Sequence, residues 1–117
     1  MKRVLVVDDD QTRLDSLRQT YVELFSGDVE ITTCETAEAA SAALLHTSPF
    51  DVVSLDHDLG DFLHRPERTG MDVVRTIVAL EADHRPRHAV IHSWSPRRFA
   101  MEAALRDAGV SVVLKMF

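Results

Sequence analysis

The chain is predicted to fold as an α/β domain, a five-stranded parallel sheet with helices on both faces. Apolar, β-branched runs alternate strictly with helical patterns along the whole sequence. Alternation of that kind makes βαβ units and a parallel sheet. The runs at 4–7 and 52–55 are nearly continuous in apolar character, as strands covered on both faces should be.

The elements follow in order. "RVLVV" at 3–7 is the first strand. Residues 10–25 carry Leu14, Leu17, Tyr21, Leu24 and Phe25 at helical spacing, and Gly27 follows as a stop signal. "VEITT" at 29–33 is the second strand, and Cys34 closes it as a small buried residue. Residues 36–46 open with Thr36 as a cap and are rich in strong helix formers. "DVVSL" at 51–55 is the third strand, a third helix covers 71–82, and "AVIH" at 89–92 is the fourth strand. Ser95 and Pro96 open a fourth helix over 97–108, which Gly109 closes before the last strand, "VSVVL" at 110–114.

Composition bounds the function. A length of 117 residues reads as one domain, residues 1–117, that buries roughly two thirds of its unfolded surface. The opening "MKRVLVV" has an apolar run too short for a signal peptide or a membrane span. A single cysteine excludes an internal disulfide and fits a reducing, cytoplasmic setting. A net charge of -6 argues against broad nucleic-acid binding and is compatible with an acidic pocket that holds a metal cation.

Ligands of parallel sheets bind beyond the carboxyl ends of the strands. That rule gathers the chemistry at one edge. Strand 1 delivers Asp8, Asp9 and Asp10, strand 3 delivers Asp56, His57 and Asp58, strand 4 delivers His92 and Ser93, and strand 5 delivers Lys115. Converging carboxylates repel by several kcal/mol at an effective dielectric of about 20, so a proton or a divalent cation must join them. Hard oxygen donors without cysteine select magnesium or manganese, with calcium also accommodated. Asp10 alone reads equally well as a helix cap. Asp58 follows Asp56 by two residues and so shares its side of an extended chain. It is a proton-handling partner, a further ligand or a loop cap.

Histidine suits general acid–base work near neutrality, which makes His57 and His92 candidates for moving protons. His64 is a weaker candidate, and His46, His84 and His88 read as surface residues. Ser95 and Pro96 at a helix start offer backbone N–H groups to an anion. Arg97 and Arg98 follow in the first turn, where the helix dipole favours acids, and that misfit suggests an anion there. Arg65 and Arg68 could close over a phosphate, and Trp94 could stack on a base or simply pack.

"VLVVDDD", "FDVVSLD", "IHS" after strand 4 and "VVLKMF" together resemble a receiver domain, the module of response regulators that accepts phosphate on an aspartate. The resemblance implies a flavodoxin-like three-layer sandwich with sheet order 2-1-3-4-5. It makes Asp8 and Asp9 a magnesium-binding pair, Asp56 the phosphoacceptor and Lys115 the residue that contacts the phosphoryl group. Ser93 stands where that family keeps Ser or Thr. Val112 replaces the usual switch aromatic and Met116 the proline after the lysine. No fifth helical pattern follows strand 5, which leaves one edge of the helical layer open and suggests a homodimer.

"SLDHDLG", "TGMDVV" and "HSWSPRRFAM" resemble a divergent branch, the cyclic-phosphate-processing receivers, which usually has Asn at the position of Ser95. The leading expectation is therefore a metal-dependent phosphoesterase that opens a cyclic phosphate of a nucleotide or RNA-derived molecule. Asp8, Asp9 and Asp56 would hold the metal. His57 and His92, with Asp58, would serve the chemistry, Lys115 would neutralise charge on phosphorus, and Ser93, Ser95 and Arg97 would bind phosphate. The alternative is a stand-alone receiver, phosphorylated on Asp56 by a histidine kinase or a small phosphodonor.

Overall fold

The computed structural model describes residues 1–47, 49–56, 69–93 and 95–115. Its strands are β1 (Lys2–Val7), β2 (Val29–Cys34), β3 (Val52–Leu55), β4 (His88–Ile91) and β5 (Ser111–Leu114). The helices are α1 (Gln11–Leu24), α2 (Ala37–Thr47), α3 (Gly70–Ala79) and α4 (Arg98–Asp107), with one 3-10 turn at Ala82–His84. All neighbouring strands are parallel, in the order β2-β1-β3-β4-β5. Fold class and strand order are as the sequence predicts. No helix follows β5 among the described residues, and no helix among them is long and apolar enough to cross a membrane.

The two faces of the sheet differ in cover. Leu5, Val7, Val53, Leu55, Ala89 and Ile91 pack with residues of α2, α3 and α4 in the larger core. Each fully buried Leu or Ile in it contributes roughly 1.5–3 kcal/mol relative to exposure. The alternate residues Val4, Val6 and Val52 pack under α1 with Leu14, Leu17 and Tyr21. Because side chains alternate along a strand, the next positions on this second face are Ser54, then Asp8 and Asp56. The polar residues of β1 and β3 therefore continue an apolar stripe covered by one helix.

Local chemistry sets the ends of the elements. Asp10 caps α1 by accepting the Arg13 backbone N–H at 3.1 Å, and Thr36 accepts the Ala39 N–H at 3.1 Å. The α1 helix unwinds through Ser26 and Gly27, both at positive φ, where glycine carries no steric penalty. Two helices differ from the sequence reading. The α3 helix starts at Gly70 because "TGMD" builds a capping box, with Thr69 accepting from the Met71 N–H at 3.2 Å and Asp72 accepting from the Thr69 N–H at 3.0 Å. It stops at Ala79, because Leu80 is extended and the chain then makes its 3-10 turn. The α4 helix starts at Arg98 rather than Arg97, because Ser95 and Pro96 form a separate turn before it.

Candidate functional site

Four strands each deliver a polar residue one step past their ends, and the backbone ladder continues under it. The Asp8 N–H donates to the Cys34 carbonyl at 3.1 Å, Asp56 to Val7 at 3.0 Å, His92 to Leu55 at 2.9 Å and Lys115 to Ile91 at 2.8 Å. These positions are thereby as rigid as the sheet while their side chains stand beyond it.

Carboxylate oxygens of Asp8, Asp9 and Asp56 lie within 4.8 Å of one another. Asp8 and Asp56 are buried and Asp9 is exposed. A fourth residue sits among them, and it escaped the sequence reading. Arg13, in the first turn of α1, donates from Nε to Asp8 Oδ2 at 2.8 Å and from Nη2 to Asp8 Oδ1 at 3.0 Å. Its Nη2 is also 3.5 Å from Asp56 and 3.7 Å from Asp9. The signal was available. A cation in the first turn of a helix opposes the dipole, and Asp10 as cap fixes Arg13 in that turn.

His92 meets the cluster from β4. Its Nε2 is 3.0 Å from Asp8 Oδ2, and its Nδ1 is 3.0 Å from Ser54 Oγ. A carboxylate only accepts, so Nε2 carries the hydrogen, and in the neutral ring Nδ1 accepts from Ser54. The Ser54 hydroxyl in turn faces that of Tyr21. The result is a buried polar chain under α1, from Arg13 through Asp8, His92 and Ser54 to Tyr21. A serine inside the fully buried run "VVSL" needs a partner, and that was its legible mark.

The electrostatics follow. Burial by itself would raise the Asp8 carboxyl, but the hydrogen bonds from His92 and Arg13 outweigh it and bring it down to about 2. The Asp9 carboxyl is raised from its ordinary value by partial burial and by the neighbouring Asp8 charge. Arg13 is held in its charged form above the ordinary arginine value by its hydrogen bonds to Asp8. Hard oxygens at this spacing fit a divalent cation such as magnesium.

Ser93 follows His92 past β4, Lys115 stands one residue past β5, and the other expected residues lie at the turn before α4 or outside the described residues. Ser93 is buried, and its Oγ accepts the Ser95 N–H at 3.1 Å. The backbone N–H groups expected to greet an anion are engaged. That of Arg97 goes to Ser95 Oγ at 3.2 Å, that of Arg98 to the Ser95 carbonyl at 3.0 Å and that of Phe99 to the Pro96 carbonyl at 3.4 Å. A turn inserted before the helix consumes them. Arg97 is exposed, and Lys115 is exposed beyond β5, two strands from β3. His57, Asp58, His64, Arg65, Arg68, Trp94 and Met116 lie outside the described residues.

A parallel 2-1-3-4-5 sheet with an acid cluster at the ends of β1 and β3 defines a receiver domain of the response-regulator type. Within that class, the chain belongs to the cyclic-phosphate processing receiver domain family, whose model matches residues 3–107. Among solved structures it is similar to a response regulator receiver protein from Pseudomonas putida, at 26% identity over 97% of this chain and 85% of that one, TM-score 0.66. A CheY-like response regulator receiver domain protein from Methanospirillum hungatei is 24% identical over 99% and 81%, TM-score 0.64. The phosphorylated cyanobacterial phytochrome response regulator RcpA is 18% identical over 97% and 79%, TM-score 0.71. The last two share the fold. No curated protein matches the chain.

Proposed function

We propose that this receiver is a metal-dependent phosphoesterase that opens a cyclic phosphate of a nucleotide or RNA-derived molecule. The observation that carries the reading is the carboxylate cluster of Asp8, Asp9 and Asp56, within 4.8 Å at the edge where parallel sheets bind ligands. Membership of a family described as cyclic-phosphate processing supports the substrate class. Asp8, Asp9 and Asp56 would hold magnesium or manganese, which supplies Lewis-acid polarisation of a phosphoryl oxygen and a more acidic bound water.

Hydrolysis adds a water oxygen to phosphorus and breaks one of the two ester P–O bonds of the ring. The water loses a proton to a base, and the departing sugar oxygen gains one from an acid. His57 is assigned this traffic, with Asp58, two residues after Asp56 in the sequence, as a second carboxylate. His92 acts through Asp8, since its buried ring faces Asp8 on one side and Ser54 on the other. Lys115 offsets charge on phosphorus, while Ser93, Ser95 and Arg97 line the approach. We place the protein in the cytoplasm. The half-buried Val90 and exposed Val113 on the α1 side of the sheet support a homodimer, which light scattering tests.

Phosphorus NMR with magnesium and a panel of cyclic phosphates tests the activity. We expect a magnesium-dependent loss of one cyclic resonance that Asp56→Asn abolishes. Full turnover in His57→Ala would remove its proton-transfer role. A second reading draws on the position of Asp56 in a receiver fold, at the carboxyl end of β3 and buried beside Arg13. In it Asp56 is a phosphoacceptor served by a histidine kinase or small phosphodonor. Inert cyclic substrates together with an aspartyl-phosphate signal from acetyl phosphate would decide for this reading.

A further inference from the structure

Asp8 has every acceptor position in use. A carboxylate offers about four lone-pair sites. Oδ1 accepts from the Asp10 N–H at 2.9 Å and from Arg13 Nη2 at 3.0 Å. Oδ2 accepts from Arg13 Nε at 2.8 Å and faces His92 Nε2 at 3.0 Å. A cation bound through Asp8 must therefore displace one of these donors.

The four are not equally replaceable. The Asp10 N–H belongs to the turn that caps α1, so losing it would unwind the helix start. The His92 ring has no exposed side-chain surface and is pinned from behind by Ser54. The Arg13 side chain is 43% exposed, so it alone has an open path away from Asp8. Its guanidinium also sits against both other members of the triad, at 3.5 Å from Asp56 and 3.7 Å from Asp9. A dication among the same oxygens would repel it from all three contacts. The group that is freest to leave is also the one with most reason to.

We infer that Arg13 is a built-in competitor for the divalent metal site, a positioning residue whose guanidinium must leave Asp8 before Asp8, Asp9 and Asp56 can close on a cation. This rests on reading the acid triad as that metal site. The arginine holds the three carboxylates together without metal, and it weakens metal affinity by the fraction of time it occupies them. Arginine suits this task better than lysine, because its planar fork engages both Asp8 oxygens at once.

Calorimetric titration of magnesium into the full chain tests the inference directly. Arg13→Gln is expected to bind magnesium at least about tenfold more tightly than the unsubstituted protein, as the competing fork is gone. Arg13→Lys, which keeps the charge and loses the fork, should fall between. Arg18→Gln makes the same change of charge further along α1 and should bind as the unsubstituted protein does. Equal or weaker binding by Arg13→Gln overturns the inference and leaves the metal site standing. No binding by any of the proteins overturns the metal-site reading itself. If Arg13→Gln does not fold without cation, the thermal midpoint of Arg13→Lys against magnesium concentration gives the same comparison. Half-saturation at a lower concentration than for the unsubstituted protein upholds the inference, and an equal or higher one overturns it.

Discussion

Two helix starts stand at the carboxyl edge of the sheet, and each carries arginine in or at its first turn, against the helix dipole. At α1, Arg13 turns inward and makes two short hydrogen bonds to the buried Asp8. At α4, Arg97 is exposed, while Arg98 donates to the Ser95 carbonyl at 2.9 Å and lies 4.4 Å from the centre of the Phe99 ring. The same local misfit has two resolutions. One cation is drawn into a pocket of opposite charge, and the others stay near solvent and backbone. What differs is the neighbouring strand. The end of β1 places a carboxylate beneath α1, whereas the backbone before α4 spends its own N–H groups on a turn.

This contrast can be tested by substitution. Arg13→Met leaves the buried Asp8 charge with fewer partners, and we expect a loss of about 3 kcal/mol in urea unfolding with divalent cations chelated. Arg97→Met in the same assay should stay within about 0.5 kcal/mol, and equal losses would erase the distinction between the two helix starts.

Acid gives the next largest effect. Asp8 titrates near 2 when folded against 3.8 as its ordinary value, so its stabilisation is complete above about pH 4 and fades as the pH falls toward 2. The amplitude is about 2 kcal/mol, and an unfolding series across that window should lose this component in Asp8→Asn. Ser54→Ala takes away the partner behind His92 and should cost about 1–2 kcal/mol by the same denaturation. The smallest effect has the opposite sign. Arg97→Glu puts an acid at the start of α4 and should stabilise by about 0.5 kcal/mol in low salt.

A second acidic group sharpens the point. Glu81, Asp83 and His84 are also close enough to share an ion, yet all three are exposed around the 3-10 turn. Water screens them, and His84 shows only a 3.9 Å approach to Asp83. Asp8, by contrast, is held at every oxygen. Proximity of acids is common, while among the described residues burial that forces partners upon them is found at the edge of β1 and β3.

The sequence by itself determined the layers, the five strands, their parallel direction and the edge where the acids gather. These follow from short-range periodicity and from the rule that strand ends in α/β sheets carry the site. It also marked Asp8, Asp9 and Asp56, because three carboxylates at strand ends are costly without a partner. The tertiary structure alone decided which partners they take. That Arg13 reaches across to Asp56, 43 residues away, depends on how α1 lies over the β1–β3 pair. That His92 joins Asp8 across 84 residues depends on β4 aligning with β3, and the Ser54 contact behind it completes the buried chain. Hydrogen bonds of that reach leave no periodic trace in a sequence, since they depend on angle and depth set by packing. The turn before α4 is the converse case, in which a two-residue change in chain direction consumed the N–H groups that the motif had offered.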